Sequence, residues 1–194
     1  MAAQRRDTPP SAPQRGHDRT VVLCAAFDAV ADAAIDRLRD RVEAAGHPTR
    51  RTHRPHFTLS AARVADADVV IAVAAEVAAR HAPIPLTMAA FGSFASGVLF
   101  VAPDESVALR ALHRDAHETM RRHWAPAFGP QSAPDRWIAH CTLATRLARS
   151  ELRTLRRSPF EPFRATVDAL AVIVVGGRGD LAHIPLAAER TDER

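Results

Sequence analysis

Lysine, asparagine and tyrosine are absent from this chain of 194 residues. Its 26 basic residues are all arginine, and against 22 acidic ones they leave a formal charge of only +4. A chain so nearly balanced does not coat nucleic acid by charge alone. Arginine's use is instead local, as a permanently charged fork for a phosphate. The arginine- and alanine-heavy composition is otherwise that of a GC-rich coding sequence. Cysteine is scarce too. Cys24 and Cys141 are too few for a disulfide framework, and no CxxC pair offers a zinc or redox site. Each lies in an apolar, strand-like run, where a free thiol acts as a small buried hydrophobe. Long apolar runs are also missing. The most helix-like stretch, Val69 to Ala79, is interrupted by Glu76 and is too short to span a bilayer. Arg5 and Arg6 are followed by Pro, Ser, Gln, Gly and charged residues, so no secretory or twin-arginine signal is read. The expected location is the cytoplasm.

What is present is a globular composition, 47% hydrophobic and 25% charged, which excludes a wholly disordered chain. Residues 1–19 read as a flexible tail and 188–194 as a polar one. Between them, 20–187 reads as a single domain with halves at about 20–92 and 97–187. Thr20 to Phe27 is a continuous apolar run that predicts a buried strand. Val30, Ala34, Ile35, Leu38 and Val42 recur at helical spacing after a capping Asp28, and Gly46 and Pro48 stop that helix. A strand from His56 to Val64 and a helix from Ala67 to His81 follow. Ile84 to Phe91 and Gly97 to Ala102 flank a hairpin signal. A long helix opened by Asp104 leads to a proline-containing loop, Ala125 to Arg136. Trp137 to Leu147 reads as a strand, Glu151 to Arg157 as a short helix capped by Ser150, and Phe163 to Val175 as a long strand. Gly176, Gly177 and Gly179 turn the chain into a last strand, Asp180 to Leu186. The order is β-α-β-α-β twice over with one extra strand, an internal duplication of architecture.

Laying the two halves together exposes a motif. The second strand of the first half carries His56-Phe57-Thr58-Leu59, and that of the second half His140-Cys141-Thr142-Leu143. Residues two apart in a strand project from one face. His56 therefore points with Thr58 and His140 with Thr142, while Phe57 and Cys141 point to the core. Across a pseudo-two-fold axis the two pairs would face each other. Two imidazoles on opposite sides of a phosphodiester suit in-line displacement. One, neutral, takes a proton from water or a ribose hydroxyl, and the other, as imidazolium, protonates the leaving oxygen. The two hydroxyls can hydrogen-bond the non-bridging oxygens as charge builds there. The scheme calls for no metal or other cofactor, and no carboxylate accompanies either histidine within the motifs.

The paired HFTL and HCTL motifs resemble those of the 2H phosphoesterase superfamily, above all its bacterial 2′–5′ RNA ligases and RNA 2′,3′-cyclic phosphodiesterases. The resemblance spans about residues 20–187 and includes Pro55 before the first motif and a Phe-Gly-x-Phe hairpin within Met88 to Pro103. It implies an α+β, bilobal fold in which two antiparallel-rich sheets flanked by helices surround a central cleft. It also implies metal-independent opening or formation of 2′-linked phosphodiesters, with His56 and His140 catalytic and Thr58 and Thr142 binding phosphate. The chain departs from the pattern in two places. Ala139 stands where many members have proline, and Thr145 where some have a phosphate-holding arginine. Arg146, one residue later, shares a strand face with His140 and Thr142 by parity and is a further phosphate-binding candidate. The substrates implied are RNA ends or small cyclic nucleotides, handled by a monomer away from the membrane. The leading reading is hydrolysis of a 2′,3′-cyclic phosphate. The alternatives are 2′–5′ ligation at the same site, or a cleft that binds RNA or nucleotide without turnover.

Other residues read differently. His113 and His117, four apart on the long helix, predict a solvated face crowded by arginine. His53 reads as loop, and Arg50, Arg51 and Arg54 as a cluster that either draws in an anionic substrate or is solvated. Phe94, Trp124, Phe128 and Trp137 read as packing residues that border the loops around the second motif, where an aromatic can stack a base.

Overall fold

A computed structural model describes residues 18–49 and 51–187. The expected tails lie outside these residues apart from Asp18 and Arg19, as does Arg50. The elements follow the order β1 (Arg19–Phe27), α1 (Ala29–Ala44), β2 (His56–Val64), α2 (Asp68–Ala78), β3 (Ile84–Phe94), β4 (Val98–Pro103), α3 (Val107–Arg121), a 3-10 turn (Pro130–Ser132), β5 (Cys141–Ala144), α4 (Arg149–Arg156), β6 (Phe163–Val174) and β7 (Ala182–Pro185). The order is the one that the apolar periodicities predict.

Several boundaries differ for local reasons. Asp28 caps α1 as expected, its carboxylate accepting from the Ala31 amide at 2.7 Å. The cap of α3 is Ser106, not Asp104, because the Asp104 amide still donates to the Thr87 carbonyl at 2.8 Å. At α4 the cap falls at Ala148, whose amide donates to the Glu151 carboxylate, so Ser150 lies within the helix. β5 is far shorter than the strand expected from Trp137 to Leu147. Before it, the Trp137 amide donates to the Ala133 carbonyl in a turn, and after it Arg146 adopts φ 64°, which no strand residue holds.

The seven strands form one antiparallel sheet in the order β2-β1-β6-β3-β4-β5, with β7 also paired to β6. The two separate sheets expected from the resemblance are therefore joined. β6 makes this happen because it is long enough to serve both groups. Its Phe163–Val167 segment pairs with β3, and Val167–Val174 pairs with β1. From Val21 onward β1 is apolar because both its faces are buried. Val21, Leu23, Ala25 and Phe27 enter the main core with α1, α2 and α3, while Val22, Cys24 and Ala26 join Ala61, Ala169, Ala171 and Ile173 on the opposite face. In the main core Phe27 meets Phe57 edge to face at 4.8 Å between centroids. Truncating Phe57 to alanine would cost about 3–5 kcal/mol. The sheet curls until its two terminal strands, β2 and β5, touch, and Thr49 bridges to Ala144 beside them. The first histidine motif opens β2, and the second runs from His140, just before β5, into that strand.

Candidate active site

Strand register fixes the direction of the first motif. His56 lies opposite Ala26 and Thr58 opposite Cys24. Directly opposed residues share a face, so both project from the small-residue face of the sheet, while Phe57, opposite Ala25, enters the core. On β5, Thr142 lies opposite Phe100 and Cys141 opposite Val101, so Cys141 is the core residue of that motif. The parity therefore holds for the first motif and for Cys141 and Thr142; His140 precedes β5, and its packing on Phe100, the residue opposite Thr142, puts it on the Thr142 side.

The two histidines are held in the same way. The Nδ1 of His56 lies 2.8 Å from the Arg54 carbonyl, and the Nδ1 of His140 lies 2.7 Å from the Ile138 carbonyl. A carbonyl only accepts, so each Nδ1 carries the proton and each Nε2 is left as the acceptor nitrogen of a neutral ring. Burial lowers the pKa of both rings below the ordinary histidine value. His140 is further caged by Phe94, edge-on at 4.8 Å, and by Phe100 at 5.3 Å. Behind His56, the Arg54 guanidinium pairs with Asp32 at 3.2 Å and Asp180 at 3.7 Å, which anchors the residue whose carbonyl holds the ring.

Two cavities meet at Thr58 and Phe128, which line both. One, of about 370 Å³, runs past His140 between Phe94, Trp137, Ile138 and the 131–136 segment. The other, of about 350 Å³, contains His56, Thr142, His53 and Arg39. Thr58 lines both cavities, His140 the first, and His56 and Thr142 the second, so the adjoining cavities form a cleft bordered by all four residues. It does not bring in Arg146, which is exposed, lies past the end of β5 and lines neither cavity. The parity argument for Arg146 fails where the strand stops.

Of the arginine cluster before the first motif, Arg51 and Arg54 line neither cavity. Arg51 pairs with Asp40 at 2.6 Å, Glu43 at 3.2 Å and Asp36 at 3.5 Å along α1, and Arg54 is held as described. Arg39 and Arg136 line the cavities instead. Arg39 could have been noticed as a charge at helical spacing from Ile35 on the apolar stripe of α1. His53 is not an idle loop residue. Its Nδ1 contacts the Gly179 carbonyl at 3.0 Å, and it shares the second cavity with His56. The solvated face expected at His113 and His117 is also overturned. Both are buried, His113 stacks on Trp137 at 4.0 Å and 9°, and burial takes its pKa down to about 4. The thiols are buried as expected, with Cys141 pushed up to about 12 by desolvation. Among the described residues, no group of three or more His, Cys, Asp or Glu is placed to hold a metal, and no helix is long and apolar enough to cross a membrane.

Residues 27–179 match the family model of the 2'-5' RNA ligase superfamily. The chain belongs to this superfamily. Its likeness to solved structures is one of fold. E. coli LigT in apo form aligns with a TM-score of 0.62 at 16% identity, over 88% of this chain and 99% of LigT. TT0787 of Thermus thermophilus gives 0.59 at 16% identity, over 88% and 99% of the two chains. E. coli LigT complexed with 3'-AMP gives 0.57 at 14% identity, again over 88% and 99%. A comparison with curated proteins finds no match. In this member of the superfamily the matched segment contains both histidine motifs, Arg39 and the whole loop between Ala125 and Arg136.

Proposed function

We propose that the chain is a metal-independent phosphodiesterase that opens 2′,3′-cyclic phosphates at RNA ends or on nucleotides. One observation carries the reading. His56 opens β2 and His140 immediately precedes β5, at opposite ends of the sheet order; their Nδ1 atoms are tied to local carbonyls, and each borders the cleft with a threonine. A neutral imidazole uses Nε2 to take a proton from water as the water oxygen bonds to phosphorus. The bond from phosphorus to one ribose oxygen breaks in line with it. The other imidazole, protonated, gives its Nε2 proton to that oxygen, leaving a monoester. The hydroxyls of Thr58 and Thr142 donate to the non-bridging oxygens as their charge grows. An anionic phosphodiester between the rings offsets the desolvation that lowers their pKa and so favours the one imidazolium the step needs. The nucleotide held by the LigT relative, 3'-AMP, supports a substrate of this class.

The superfamily description favours a second reading, 2′–5′ ligation, in which the same two groups exchange acid and base roles. The decisive assay supplies a 2′,3′-cyclic nucleotide with excess chelator and looks for the monoester. Separately, cleaved RNA halves are examined for a 2′–5′ junction. Turnover that persists unchanged in a His56→Ala, His140→Ala double variant would remove the proposal.

A further inference from the structure

Arg39 is the one arginine that is buried among the described residues, only 5% exposed. It sits on the face of α1 that also buries Ile35 and Leu38, a position that apolar packing would fill more cheaply. Its partners are few. Nη1 donates to Asp36 at 3.0 Å, Nη2 donates to the Thr142 carbonyl at 3.5 Å, and Nε has no partner. Asp36 is half-exposed and also serves Arg51, so it gives Arg39 only part of one carboxylate. The guanidinium lines the same cavity as His56, Thr58 and Thr142.

The contact with Thr142 has a counterpart. The carbonyl of Thr58, the equivalent threonine of the first motif, accepts from the Trp137 indole Nε1 at 2.9 Å. Each motif threonine therefore has its carbonyl held by a side chain from a distant part of the chain. For Thr142 the need is greater, because β5 has only four residues and ends within two of a positive-φ arginine. A strand that short is poorly held by its ladder alone.

We propose that Arg39 is a positioning residue: it holds the Thr142 carbonyl so that the Thr142 hydroxyl faces the reacting phosphate. The inference rests on the phosphodiesterase reading above. Arg39 acts through Thr142: its Nη2 is on the Thr142 carbonyl, and its Nε is buried without a partner.

The test compares wild type, Arg39→Met, Arg39→Lys, Thr142→Ala and the Arg39→Met, Thr142→Ala double variant. It measures turnover of a 2′,3′-cyclic nucleotide and calorimetric binding of 3'-AMP as a non-reacting probe. Asp36 is half-exposed, so removing Arg39 leaves no buried charge unpaired, and Arg39→Met should stay folded. It is expected to lower kcat about 10- to 100-fold with KM changed less than about threefold, and to weaken 3'-AMP binding about fivefold. Arg39→Lys, which keeps the charge and an N–H without the fork, should fall between the two, and it carries the test if the methionine variant does not fold. In the Thr142→Ala background, Arg39→Met should have almost no further effect. An Arg39→Met enzyme that matches wild type, or that slows Thr142→Ala by the same factor as wild type, overturns the proposal alone. A wild-type chain that binds 3'-AMP in an Arg39-dependent way without turnover overturns the phosphodiesterase reading and supports the placement of Arg39. Neither binding nor turnover in the wild-type chain overturns both.

Discussion

The indole Nε1–H of Trp137 donates to the carbonyl of Thr58 at 2.9 Å, joining residues 79 apart in sequence. The bond ties the approach to the second histidine to the strand of the first. On its other side the same indole is stacked by His113. Replacing Trp137 by phenylalanine keeps the stack and removes the donor. The variant is expected to lose about 1 kcal/mol of stability and about tenfold in kcat, read by denaturant unfolding and by turnover of a cyclic nucleotide. Wild-type kcat in a folded Trp137→Phe variant would show that Thr58 needs no such clamp.

The two motif threonines should matter in the transition state more than in binding. Removing a donor to a developing oxyanion costs on the order of 10²-fold in kcat. Thr58→Val and Thr142→Val, which keep the shape of the side chain, should each show such a fall with little change in KM. A change confined to KM would make the hydroxyls binding groups only.

Gly92 supports His140 from a distance. It lies opposite Phe100, and a Cβ there would sit 2.1 Å from the Phe100 ring, which itself packs on His140. Gly92→Ala must therefore push that ring. The expected cost is about 1–3 kcal/mol, together with a fall in turnover. Thermal unfolding and kinetics on the one variant check both, and full stability with full activity would deny the coupling.

Burial lowers the pKa of His56 and His140, so in the free protein both rings are neutral at pH 7. Catalysis as proposed needs one of them protonated. The pH profile of kcat/KM reports the free enzyme, so it should peak below about pH 6.5 and decline as pH rises through neutrality. A profile still rising at pH 7.5 would contradict the acid role.

His113 gives the fold an acid limit. Its folded pKa of about 4 lies below the ordinary value of 6.5. Between those values the unfolded chain binds a proton that the folded chain refuses. The stability associated with a neutral His113 is thus complete above pH 6.5 and is lost as pH falls toward 4. The loss is on the order of 2–3 kcal/mol. Denaturant titrations at pH 7.5 and 4.5 should show a smaller drop for His113→Phe, which keeps the stack on Trp137 without a titrating group. Equal drops in both proteins would place the acid sensitivity elsewhere.

Much of this was legible in the amino-acid sequence. The period-two alternation in each HxTL determined that His and Thr share a face, and the apolar periodicities determined the order of strands and helices. Those are local properties, set by where Cβ points along a strand or a helix. The joining of all seven strands through β6, the meeting of β2 with β5, and the clamps on the two threonines were decided only by tertiary structure. The Arg39 contact to Thr142 spans 103 residues and no local pattern encodes it. Arg146 shows the converse. Parity placed it in the cleft, but β5 ends at Ala144, and a positive φ turns the chain away before parity can apply. Local rules hold as far as an element extends, and the length of an element is set by what the rest of the chain packs against it.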